Sequence, residues 1–218
     1  MTAEQQSPAA EIEQLVDAER RPLVAVLEGL DEAGWQTPSL CAGWTVRHLV
    51  VHLLMPYELS KTSFLLGMVR RRLSFDRVAD DWSQGDRRSN GELIEAVRRT
   101  AGKEFDVPGS PAEAPLSHLV IHSEDVYRPL GVRRTPIPRS LDTTLDQLVS
   151  PRARGMLAPE LRAGVTLVAT DTGWRSGDGP EASGPAGSLI SVLAGRTAAL
   201  DDLSGPGADL LSSRLAAR

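Results

Sequence analysis

In four stretches before residue 130 the apolar residues return at steps of three and four, the period of a helix that buries one face. The first, "PAAEIEQLVDAERRPLVAVLEGL" at 8–30, lines up Ile12, Leu15, Val16, Leu23, Val26 and Leu27, with Gly29 as the stop. "DEAGWQTPSLCAGW" at 31–44 reads as a loop, after which Thr45 is placed to cap a second helix running to about Arg72, where Pro56 either kinks or splits it. A polar stretch through "DDWSQGDRRSN" leads to a third helix over Gly91–Glu104 with Leu93, Ile94 and Val97 inward. The fourth covers about Ala112–Tyr127 and is stopped by Pro129 and Gly131. Four helices with connectors of unequal length predict an antiparallel four-helix bundle.

Past Gly131 the texture changes. "VRRTPIPRS" is rich in Pro and Arg, and "LDTTLDQLVSPRARGMLAPEL" suggests one or two short helices in a connector. "AGVTLVATD" at 163–171 is β-branched and strand-like, "GWRSGDGPEASG" supplies turns and another short strand, and "PAGSLISVLAGR" at 185–196 returns to helical spacing. The expected organisation is a bundle over 1–132, a helical connector over 133–160 and a small α/β domain over 161–218, a mainly α chain.

A net charge of -5 and a pI near 5.4 argue against a nucleic-acid partner, which needs a basic face. The basic runs at 69–73 and 86–89 read as solvated surfaces. No run reaches the ~20 apolar residues of a membrane span, and the first residues show no leader pattern, so a cytoplasmic protein with no membrane partner is expected. A lone cysteine, Cys41, excludes an intrachain disulfide and any multi-cysteine zinc motif. It precedes a helix start, but it stands roughly 10 Å from His52 along that helix and reads as structural.

The four histidines, His48, His52, His118 and His122, form two i, i+4 pairs on two expected helices. Such a pair projects both imidazoles from one face a turn apart, as a helix supplies two ligands to one ion. On the second helix His52 points toward the Val46, Leu49 and Leu53 stripe, so it is the better inward ligand; His48 turns away and reads as a first-turn residue or an additional ligand. Asp125, three residues past His122, shares its face and either holds a histidine's second nitrogen or pairs with Arg128. Three neutral imidazoles leave a tetrahedral ion one open position for water or a thiol, and zinc suits the set, with nickel, manganese or iron as alternatives.

"LCAGWTVRHLVVHL" at 40–53 resembles the C-x-G-W-S/T-x-R-D/E-x-x-x-H-L signature of mycothiol-dependent maleylpyruvate isomerases, members of the wider DinB-like metal-binding bundles. "HLVIHSEDVYRPLG" is similar to their second signature, and "GVTLVATDTGW" and "GPAGSLISVLAGR" to their small C-terminal domain. His118 stands where those isomerases carry Glu, as in the broader bundle group, and His48 stands where they carry an acid. The resemblance implies a metal held by His52, His118 and His122, and mycothiol as a thiol cofactor. Isomerisation or S-transfer on a small electrophile would follow, in a monomer or homodimer. Mycothiol belongs to actinobacteria, in keeping with a chain whose only lysines are Lys61 and Lys103. A non-catalytic metal-binding or ligand-sensing protein and a metal-dependent hydrolase remain as alternatives. Arg196, in "LAGR", either binds a carboxylate of substrate or thiol or interacts with a helix C-terminus, and Trp44 either packs at the helix entrance or stacks on substrate.

Overall fold

The computed structural model describes residues 7–107, 109–133, 135, 137–151 and 159–217. By packing, the chain falls into two units, residues 1–110 with 129–131, and residues 111–128 with 132–218.

The first unit holds α1 (Pro8–Glu28), α2 (Glu32–Trp35), α3 (Val46–Glu58), α4 (Lys61–Arg70), α5 (Phe75–Gly85) and α6 (Asn90–Arg98). Every one of these helices starts on a side chain that accepts from its first turn: Ser7, Asp31, Thr45, Ser60, Ser74 and Ser89. α1 packs on α6, and α3 packs on both α5 and α6, burying Leu23, Leu27, Leu49, Leu54, Leu93 and Trp35. Each such side chain contributes about 1.5–3 kcal/mol of burial.

The expected helix from Thr45 to Arg72 is two helices. Pro56 has no N–H to donate to the His52 carbonyl, α3 ends two residues later at Glu58, and Ser60 caps a fresh start. α5 lies in a stretch read as polar connection; Val78 and Ala79 are buried and Trp82 packs beside them. α6 stops at Arg98, short of the expected Glu104, and turns follow through Gly102 at φ +67°.

The second unit holds α7 (Ala114–Tyr127), α8 (Pro138–Val149), α9 (Pro159–Arg162), β1 (Thr166–Ala169), β2 (Arg175–Ser176), β3 (Glu181–Gly184), α10 (Ala186–Leu193), a 3-10 turn (Thr197–Asp202) and α11 (Pro206–Ala216). β1 is central, antiparallel to β2 and parallel to β3, with Leu167 opposite Ser176 and Ala182. The return from β2 to β3 passes so close to β1 that a Cβ on Gly177 or Gly179 would lie 2.2 Å from the Val165 carbonyl oxygen or 2.3 Å from that of Gly164. Only glycine fits there. α10 packs on α7, α8 and β1, and α11 packs on β3, around Leu116, Leu141, Leu145, Leu189 and Ile190. In sequence α7 precedes the expected boundary at 132; by packing it belongs with the elements that follow.

Candidate metal centre

In the first unit the stretch before α3 is built to hold Trp44 and start the helix. Gly43 takes φ +79°, Ser39 donates its backbone N–H to the Trp44 carbonyl (2.8 Å), and Thr45 caps α3. The Trp44 indole donates to Asp80 Oδ1 at 2.7 Å, which fixes the ring against His52, the centroids 4.9 Å apart at 54°. The Phe75 ring meets His52 edge-on at 6.5 Å. His52 itself is buried, 6 % exposed.

His48 occupies the third position of α3 and is half-buried. Its Nδ1 accepts from the Thr45 backbone N–H at 3.2 Å, closing a reciprocal capping box. An acceptor nitrogen must be unprotonated, and the His48 pKa is lowered, first by burial and then by the charge of Arg47. Arg47 donates to the carbonyl of Arg88 (2.6 Å) and to Asn90 Oδ1 (3.2 Å), tying the start of α3 to that of α6. Cys41, the lone cysteine of the chain, is half-buried in the turn before Trp44.

In the second unit, α7 carries His118 and His122 one turn apart, both partly exposed, with ring centroids 4.8 Å apart and edge to face. His122 Nδ1 lies 3.0 Å from Asp125 Oδ2, and Asp125 is 1 % exposed. Arg196 grips that carboxylate with both arms, Nε to Oδ1 at 2.9 Å and Nη2 to Oδ2 at 2.8 Å, while its Nη1 donates to the Ala194 carbonyl at 2.6 Å. Burial alone would raise the Asp125 carboxyl; the bonds and charges of Arg196 and His122 outweigh it and hold it well below the usual carboxylate range. An ionised carboxylate only accepts, so the ring proton of neutral His122 sits on Nδ1 and the lone pair on Nε2.

Arg128 pairs with Asp202 at 2.6 Å and donates to Ser188, so it is not the partner of Asp125. Arg196 serves both Asp125 and the C-terminal end of α10. Phe75 was missed because α5 was read as connection; the spacing of Phe75, Val78, Ala79 and Trp82 is the signal that finds it.

The fold is mainly helical, with a small three-stranded sheet in its C-terminal part. Residues 16–106 match the family model described as the mycothiol maleylpyruvate isomerase N-terminal domain. The fold is similar to the crystal structure of the mycothiol-dependent maleylpyruvate isomerase, with a TM-score of 0.55 and 18% identity over 94% of this chain and 96% of that one. It is equally similar to a histidine-to-alanine mutant of that isomerase, with a TM-score of 0.55 and 17% identity over the same shares. No curated protein sequence matches the chain.

Proposed function

We propose that the protein is a metal-dependent enzyme that uses a low-molecular-weight thiol of the mycothiol type in isomerisation or S-transfer on a small electrophile. His52, His118 and His122 are the ligands of one divalent ion in this reading, a donor set that favours zinc. The observation that carries it is the Arg196, Asp125 and His122 chain, because a buried carboxylate that fixes an imidazole tautomer is the usual support of a metal-binding histidine. The match of residues 16–106 to the mycothiol maleylpyruvate isomerase N-terminal domain model supports the thiol.

Each group then has a task. Asp125 keeps the His122 proton on Nδ1, Arg196 keeps Asp125 ionised and in place, and Trp44 holds the His52 ring. His48 caps α3 and lies outside the ligand set. A divalent ion bound by the three imidazoles would favour the thiolate form of an incoming thiol at neutral pH.

Metal analysis of the purified protein beside His52→Ala and His48→Ala tests this. The expected result is near-stoichiometric metal in the wild type and in His48→Ala, and severe loss in His52→Ala. Equal loss in both variants would replace the open site with a closed four-histidine one. Unchanged metal in both, or turnover of a thiol and electrophile panel that ignores chelation, would sink the metalloenzyme reading.

A further inference from the structure

We infer that the electrophile handled beside His52 is an apolar, planar molecule received by an aromatic wall of Trp44, Phe64 and Phe75. The inference rests on the reading of His52 as part of the reactive site and names the substrate class for it.

Of the four tryptophans and three phenylalanines in the chain, Trp44, Trp82, Phe64 and Phe75 gather in this part of the first unit. Trp44 and Phe75 flank His52 at 4.9 and 6.5 Å, and Phe64 backs Phe75 at 6.2 Å. A wall that only filled a core would be covered, yet Phe75 is 46% exposed. The large exposed apolar side chains of the described residues concentrate in the same region, Leu65, Leu66, Val69 and Leu73 beside Phe75. Exposed apolar surface collected in one place marks a site of contact.

The wall also lacks donors. The Trp44 indole N–H is spent on Asp80 and that of Trp82 on the Val51 carbonyl, at 2.7 and 3.2 Å. What remains for an incoming molecule is ring faces and edges, which recognise planar apolar groups through offset or edge-on contact.

Equilibrium dialysis of the full chain, zinc-loaded and without thiol, compares 1,3-dinitrobenzene, a planar probe that has no leaving group, with maleate. The probe should bind about tenfold more tightly than maleate, and Phe75→Ala should weaken it about fivefold without changing maleate binding. Phe75→Leu keeps apolar bulk without the ring and serves if the alanine variant fails to fold; it should also lose affinity for the probe. Maleate binding as tightly as the probe, or wild-type probe affinity in the folded Phe75 variants, overturns the inference. Zinc content, measured on the same samples, separates the two readings. Probe binding to a chain that retains no zinc removes the metalloenzyme and leaves the aromatic wall, whereas retained zinc with no preference for the probe does the reverse.

Discussion

Asp125 is the residue on which the second unit's histidine pair turns. Its carboxylate is buried, so ionising it is costly, and the two-armed contact from Arg196 makes the charge tolerable. Asp125→Asn preserves the shape but supplies an amide, which offers a donor as readily as an acceptor and no longer dictates the His122 tautomer. The expected outcome is zinc affinity about 10- to 100-fold weaker with helical content retained, read by competition with a chromogenic chelator and by circular dichroism. Wild-type zinc affinity in the folded variant would show that the carboxylate acts only in packing. His48 teaches the complementary lesson. A histidine in a histidine-rich helix is here a helix cap, with Nδ1 accepting from a backbone N–H.

At the scale of elements the two units start their helices by different chemistry. In the first unit all six starts use a Ser, Thr or Asp side chain. In the second, α7, α8 and α11 carry proline in the first turn, and α10 follows Pro185 and takes its acceptor from afar, Asp171 Oδ1 receiving the Ala186 N–H at 2.8 Å. Ser89 shows the local kind: its hydroxyl accepts from the Glu92 N–H while Glu92 accepts from the Ser89 N–H at 2.7 Å. Ser89→Ala should cost about 1 kcal/mol in urea unfolding, and adding Glu92→Ala should cost less than the sum of the two single changes, because each bond depends on the other's geometry. Strict additivity would mean that the box is not closed in solution.

Over the whole molecule, several carboxyls ionise more readily in the fold than in an open chain. For Asp86, Asp125 and Asp202 burial by itself raises the carboxyl. The bonds from Arg88, from Arg196 and His122, and from Ser188 and Arg128 outweigh it. Glu92 is lowered by the backbone and hydroxyl of Ser89, and Glu181 by Ser183 and Arg175. A carboxyl with a lowered folded pKa stabilises above its unfolded value, about 4, and that stability drains away as pH falls toward the folded value. His48, also lowered, adds a smaller loss that begins as pH drops below about 6.5. The urea midpoint should therefore be level above about pH 7, decline slightly toward pH 5 and fall steeply below about 4. A midpoint that rises on acidification would contradict these ion pairs.

Local chemistry was enough to determine α1, the Thr45 cap, α7, the strand at 166–169 and the helix that follows the sheet, because helical period, caps and breakers act within a few residues of one another. The same locality made the two histidine pairs legible, since i and i+4 share a face whatever surrounds them. The split after Pro56 and helix α5 were harder to read. Pro56 permits a kink or a break, and the spacing of Phe75, Val78 and Trp82 is masked by the acids between them. Tertiary structure alone decided which partner Asp125 takes: Arg128 lies three residues away and Arg196 seventy-one, and the choice fell to the one that packing of α10 on α7 brings within reach. Packing likewise set the ring of Trp44 on His52, through an acid, Asp80, that sequence spacing does not connect to either. Long-range pairs of this kind depend on where helices cross, and residue order does not encode that by itself.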